Sequence, residues 1–263
     1  MTQQFLSSKQ NPNFWVRAYL WIKIVCHVIA GLITIATKLP HADQERKNIL
    51  IQQWSRRLLN IFGIQLKVIN PAILPSSPFL LAGNHISWMD IHAINAFKPI
   101  IFVAKSDVER WPIFGWMAKQ LGTIFIQRNN ARHGRHIANE VSKVLEKQSV
   151  CIFPEGTSTT GDSVLPFKSN LFESAIQAEV PVYSLAISYK SGNGARSDVA
   201  AFVGDMGLIE SMANILRKRN LTVELVFLPP SGLTPSAAKD RKWLALHSQE
   251  AISAYIRGDQ QSM

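Results

Sequence analysis

His85 and Asp90 stand five residues apart, directly behind the apolar run 79–82 and the turn former Gly83. Histidine is the side chain best suited to general base work near neutral pH. A carboxylate beside it fixes the ring tautomer and stabilises the imidazolium. A second polar stretch, Glu155-Gly156-Thr157, follows the apolar run 150–153 and Pro154. Glycine there allows a ligand close to the backbone. Polar loops that each follow a strand commonly build the cleft of an α/β protein. The chemistry implied is removal of a proton from a polar substrate that the second loop orients. Both stretches also have plain structural readings. Ser87-x-x-Asp90 has the form of a capping box, and Pro154-Glu155-Gly156 that of a turn. The cap is compatible with the base: a helix starting at Ser87 holds Asp90 in its first turn, and the loop before it can fold His85 back onto the carboxylate. His92 reads most simply as a surface or partly buried helix residue.

The elements that must position these residues alternate along the chain. Strand-like runs fall at 64–69, 79–82, 100–103, 123–126, 150–153, 180–187, 199–203 and 221–227. Helical patterns fall at 88–96, 113–121, 135–147, 171–177, 208–218 and 237–256. Such alternation predicts a mostly parallel central sheet flanked by helices over residues 64–263.

Residues 1–63 differ. The first 13 are polar, and 14–37 are strongly apolar but carry Arg17, Lys23 and His27. The uninterrupted apolar core, 24–37, is 14 residues, where a spanning helix needs roughly 20. Extending it puts Lys23 near the middle, at about 2.5–3.5 kcal/mol. A signal peptide fits poorly, with one lysine in the first 13 residues. The reading favoured is a helix lying in one leaflet, with Trp15, Tyr19 and Trp21 at the head-group level; a buried core helix is the alternative. After a charged start at 41–47, apolar residues recur from Ile49 to Phe62 in an amphipathic helical pattern with Arg46, Lys47, Arg56 and Arg57 among its polar positions, stopped by Gly63. Together they predict an N-terminal membrane-associated helical hairpin; a basic amphipathic helix packed on its own domain is the alternative.

Composition agrees with a lipid contact. Apolar residues make up 47% and charged ones 17% of the 263 residues, with a formal charge of +10. The basic residues are dispersed and no nucleic-acid module is visible, so nucleic acid is not an expected partner. Cys26 and Cys151 lie in apolar runs and read as buried thiols. No metal spacing is present in the sequence, and no cofactor is expected.

The order of these motifs resembles the lysophospholipid/glycerolipid acyltransferase family, which includes 1-acylglycerol-3-phosphate acyltransferases. Asn84-His85-x-x-x-x-Asp90 and Phe153-Pro154-Glu155-Gly156-Thr157 match its first and third motifs. Phe102 to Lys105 and Gly122 to Arg128 are similar to the second, and Val180-Pro181-Val182 sits where the fourth belongs. The resemblance implies that His85 is the general base and Asp90 its partner. Lys105 and Arg128 would bind an acceptor phosphate, while Glu155, Gly156 and Thr157 shape the acceptor pocket and Lys168 adds a cation near it. It implies an acyl-CoA or acyl carrier protein donor, a lysophospholipid acceptor giving phosphatidic acid, and work at the cytoplasmic face of the inner membrane. Ser158 departs from the pattern, since many members have arginine there. The run Thr159 to Ser169 also looks like acyltransferases of lyso-ornithine lipid. A non-catalytic lipid-binding protein is the reading from another class.

Overall fold

The computed structural model describes residues 13–126, 131–231 and 240–261. The chain runs α1 (Phe14–Thr37), α2 (Gln44–Phe62), β1 (Ile64–Ile69), β2 (Leu80–Gly83), α3 (Met89–Phe97), β3 (Ile101–Lys105), α4 (Ser106–Glu109), α5 (Phe114–Gln120), β4 (Ile124–Ile126), α6 (Ala131–Leu145), β5 (Val150–Ile152), α7 (Glu173–Gln177), β6 (Val182–Lys190), α8 (Leu208–Lys218), β7 (Leu221–Ser231) and α9 (Arg241–Gln261). The strands form one sheet in the order β1-β7-β6-β2-β5-β3-β4. Among the described pairs only β6 and β7 are antiparallel. The mostly parallel sheet expected from the alternation is therefore present.

The central strands are covered on both faces, which is why they read as unbroken apolar runs. Side chains alternate between faces with a period of two. Leu80, Ala82, Val150, Ile152 and Val182 pack with Val141, Leu145 and Leu244 of α6 and α9. Leu81, Cys151, Leu185 and Ile187 pack on the other face with Phe62, Met89, Ile94 and Ile215. Thus α2, α3 and α8 cover one side while α6 and α9 cover the other.

Several expectations are corrected. Residues 199–203 form no strand. The Phe202 N–H donates to the Ile86 carbonyl at 2.9 Å, so this segment crosses the β2–α3 loop instead of joining a sheet edge. The helix expected at 171–177 divides into a 3-10 turn, Ser169–Phe172, and the short α7. Cys26 is exposed, because it lies on the outward side of α1. Trp21 packs partly against the core, so of the three aromatic residues expected at the head groups only Trp15 and Tyr19 are exposed.

On α1 the two sides are distinct. Leu20, Ile24, His27, Gly31 and Ile35 are buried at three- and four-residue spacing. Trp15, Tyr19, Ile22, Val25, Ile29 and Ile33 are exposed on the other side. The segment Phe14–His41 has 28 residues and holds an 18-residue window of mean hydropathy 1.9, so it is long and apolar enough to cross a membrane. One side of it is nonetheless committed to protein. α2 locks α3 in place: Arg56 Nε donates to the Ala96 carbonyl at 2.8 Å and Gln52 Nε2 to the Phe97 carbonyl at 2.6 Å. These are two of the carbonyls that a helix C-terminus leaves without partners.

Candidate active site

β2 and β5 are parallel neighbours, with Ala82 opposite Ile152. Their following loops therefore leave the sheet side by side, and the His85 N–H donates to Glu155 Oε1 at 2.7 Å. On the other flank Gly83 pairs with Leu185 of β6. Asn84 then continues the ladder with its side chain: Oδ1 accepts from the Ile187 N–H at 2.7 Å and Nδ2 donates to the Ile187 carbonyl at 3.0 Å. An amide side chain carries a donor and an acceptor like the backbone, so the main chain can leave the sheet without orphaning β6. That turn carries His85 to the sheet edge.

Asp90 is fully buried and collects four hydrogen bonds. Its Oδ2 lies 2.9 Å from His85 Nδ1 and accepts from the N–H groups of Ile86 and Ser87 at 2.8 and 2.9 Å. Its Oδ1 accepts from the Tyr189 hydroxyl at 2.7 Å. The contact with Ser87 N–H is the returning half of the expected capping box. The outgoing half is altered, because Ser87 Oγ accepts from Met89 N–H. A carboxylate only accepts, so Nδ1 carries the ring proton and Nε2 is the nitrogen left for a substrate. The imidazole is held face-on against Phe153, with centroids 4.1 Å apart, and its side chain is 22% exposed. Burial, and then the Asp90 charge, push the Tyr189 hydroxyl well above its ordinary range, so it stays a donor. Burial likewise raises the Cys151 thiol, which makes it a packing group and no nucleophile.

The second loop is braced by Glu155. Its two oxygens accept from the backbone N–H groups of His85 and Leu165, at 2.7 and 2.9 Å. Burial raises its pKa, while these two bonds oppose the shift. Glu155 therefore ties the second loop to the first. Gly156 has φ +72°, and a Cβ there would lie 2.8 Å from Lys168 Nζ. The positive φ favours glycine, and the Lys168 ammonium lies against this turn. Thr157 is exposed at the loop. The Thr159 N–H donates to the His85 carbonyl at 2.9 Å, and the Ser158 hydroxyl donates to the Phe202 carbonyl. Lys105 ends β3, and β3 is parallel to β5 and β4, so it stands at the same sheet edge as His85. Arg128 lies outside the described residues. Among the described residues no group of three metal-binding side chains occurs.

Three residues at this edge had no assigned role from sequence. Asn84 lay inside a motif, but its pairing with β6 needed the sheet order. Tyr189 lies just beyond the strand expected to end at 187; a polar aromatic residue at that strand's end was the available signal. Arg196 had no signal: its Nε is 3.5 Å from Asp162 Oδ1, and it packs against Gly161 beside Ile86.

The chain is similar to known proteins in sequence and in fold. A family profile described as Acyltransferase matches residues 65–188. A lyso-ornithine lipid O-acyltransferase of Pseudomonas aeruginosa is 34% identical over 232 residues, covering 88% of this chain and 87% of the relative. A 1-acyl-sn-glycerol-3-phosphate acyltransferase of Neisseria meningitidis is 31% identical over 256 residues, covering 96% and 98%. The crystal structure of the 1-acyl-sn-glycerophosphate acyltransferase from Thermotoga maritima shares the fold, with a TM-score of 0.66 at 20% identity over 94% of this chain and 96% of that one.

Proposed function

The chain belongs to the lysophospholipid/glycerolipid acyltransferase family, and from that premise we propose that it moves a fatty acyl group from an acyl thioester to the hydroxyl of a lysolipid, 1-acylglycerol 3-phosphate. The observation that carries the reading is the His85 Nδ1–Asp90 Oδ2 contact of 2.9 Å, with Asp90 enclosed. His85 Nε2 takes the proton of the acceptor hydroxyl as its oxygen attacks the thioester carbonyl. The tetrahedral intermediate collapses, the C–S bond breaks, and the leaving thiolate recovers the proton from the imidazolium. The acceptor is the nucleophile, so no acyl-enzyme forms. General base catalysis supplies about 10²–10⁴-fold, and positioning of the two substrates adds to it. A protein that only bound lipid would have no use for a base so fixed.

Lys105 and Arg128 bind the acceptor phosphate in this reading, because cations give strong charge-assisted bonds to it. Gly156, Thr157 and Lys168 line the acceptor pocket and Glu155 braces it. The donor is acyl-CoA or acyl carrier protein. Residues 1–63 seat the enzyme on the cytoplasmic face of the inner membrane, and residues 64–263 carry the reaction. A second acceptor, lyso-ornithine lipid, is favoured by Ser158, which supplies no positive charge, and by the similarity to the Pseudomonas aeruginosa relative. The test is purified enzyme with one labelled acyl thioester and a panel of lysolipids. Phosphatidic acid as the main product supports the first acceptor, and acylated ornithine lipid the second. No transfer to any lysolipid would overturn both.

A further inference from the structure

The N-terminal helices hold a second feature that shares no residue with the His85 site. An open groove of about 430 Å³ runs between α1 and α2, lined by Ile22, Lys23, Cys26 and His27 on one side and Arg57 and Asn60 on the other. That volume is within the range of small-molecule sites. Its rim is cationic: Lys23 and Arg57 are exposed, and among the described residues neither is in an ion pair. Lys23 rests over the Tyr19 ring, 4.9 Å from its centroid.

The other walls differ in kind. Ile22 belongs to the exposed apolar side of α1. His27 is 9% exposed, and its Nε2 has no hydrogen-bond partner among the described residues. Its ring is fixed by stacking on Trp54, with centroids 4.5 Å apart. Burial lowers its pKa, a hydrogen bond with the Trp54 backbone opposes this, and the Arg57 charge adds to the lowering. The imidazole is therefore neutral near pH 7, and with its one N–H used by the Trp54 backbone, Nε2 is an acceptor. A buried polar atom without a partner is uncommon in folded proteins.

We propose that this groove binds the phosphodiester head group of an anionic bilayer phospholipid. Lys23 and the planar fork of Arg57 hold the phosphate, with Asn60 as a neutral donor. The acyl chains run along Ile22, Val25 and Ile29. An inorganic phosphate would meet the cations but leave the apolar wall unused. The site goes beyond acyl transfer and rests on the membrane seating proposed above only for the source of its ligand.

The test uses the full chain in an uncharged maltoside detergent, titrated calorimetrically with a short-chain phosphatidylglycerol below its micelle concentration. One lipid should bind per chain, saturably. Lys23→Ala/Arg57→Ala should weaken it at least about tenfold, the scale of lost charge-assisted bonds. Lys38→Ala/Arg46→Ala removes the same charge outside the groove and should change it less than about twofold. Equal weakening by both pairs would reduce the site to diffuse surface charge. Equal affinity for short-chain phosphatidylcholine or for inorganic phosphate overturns the ligand assignment, and so does binding that never saturates. Acyl transfer measured on the same preparations separates the two readings: lost lipid binding with full transfer supports the site, and absent binding in an active wild-type enzyme rejects the groove alone.

Discussion

At the β2–α3 junction one enclosed carboxylate takes four hydrogen bonds, whereas α1 leaves Trp15, Tyr19, Ile22, Val25, Ile29 and Ile33 on the surface. The first region is held by directional bonds, each fixing an atom to within tenths of an ångström. The second works through apolar area, which has no direction and adds up side chain by side chain. The site should therefore fail at single atoms, and the helix only when several side chains change. The largest effect belongs to the base. His85→Ala should lower turnover by about 10²–10⁴-fold in protein with unchanged circular dichroism. Asp90→Asn should approach it, because an amide cannot accept four donors and misdirects the ring tautomer. Near-normal turnover by folded His85→Ala would falsify the base assignment.

The helix is broken differently. Val25, Ile29 and Ile33 are each about half exposed. Burying such a side chain in lipid contributes about 1 kcal/mol or more. Any one changed to serine should weaken vesicle partition about fivefold, and the triple change about 10²-fold. High salt should not release the wild type, since screening acts on charge and not on apolar area. Release of wild type by salt alone would mean that the basic side chains and not the stripe provide the anchor.

The regions meet at Trp54, which stacks on His27 of α1 and lies 5.3 Å from the His92 ring of α3. His92 Nδ1 is enclosed and has no partner among the described residues. Burial first, and the neighbouring His27 second, lower its pKa to about 4. Below its ordinary value of 6.5 the unfolded chain binds the proton before the folded one does. Stability is thus complete above pH 6.5 and falls as pH drops toward 4, by up to about 3 kcal/mol. Urea unfolding in detergent at pH 7 and pH 4.5 reads this difference, and His92→Gln should flatten it. A wild-type profile flat over that range would show His92 to be free to take a proton in place.

How much of this was legible in the sequence follows the same division. The β2 and β5 runs were readable because strands covered on both faces are apolar throughout. The His85–Asp90 pairing was readable because it is local, five residues across one loop. Tyr189 was not placed, and Glu155 was expected at the second loop without its bond to the first, since their bonds to Asp90 and to His85 N–H depend on β6 and β5 flanking β2. Sheet order is set by the sum of packing and leaves no mark at one residue. The stretch 199–203 has the composition of a strand, yet its backbone bonds go to Ile86 and Asp198, and composition does not say which partner is near. On α1, both sides are apolar, so the sequence could not separate Trp21, which packs inward, from Trp15, which does not.

Tyr189 then tests whether the fourth bond matters. Tyr189→Phe keeps the ring packing and removes only the donor to Asp90 Oδ1. Loss of a hydrogen bond to a charged group costs about 1.5–3 kcal/mol, shared between stability and the placing of the base. Turnover should fall about tenfold with the Michaelis constant unchanged. A raised Michaelis constant at normal turnover would instead place Tyr189 in contact with substrate.

The smallest effect is expected at Ser158, and it bears on what the acceptor pocket recognises. The family resemblance implies arginine at this position, so serine invites the reading that a phosphate ligand is missing. Its hydroxyl donates to the Phe202 carbonyl. Phe202 in turn donates its N–H to the Ile86 carbonyl, next to His85. Ser158 is thus a strut between the second loop and the crossing segment, and its oxygen is turned toward protein. Ser158→Ala removes one neutral hydrogen bond, which costs about 0.5–1.5 kcal/mol of stability. It should leave the ratio of kcat/KM for 1-acylglycerol 3-phosphate over lyso-ornithine lipid within about twofold of wild type, because no charge or substrate contact changes. Ser158→Arg is a different perturbation: it breaks the strut and adds a cation. If that cation reaches the acceptor, the ratio moves toward the phosphate substrate while turnover falls; if it cannot, turnover falls and the ratio holds. A change of tenfold or more in the ratio for Ser158→Ala would show the hydroxyl to be a substrate ligand after all, and the pocket would then read head groups with a neutral donor.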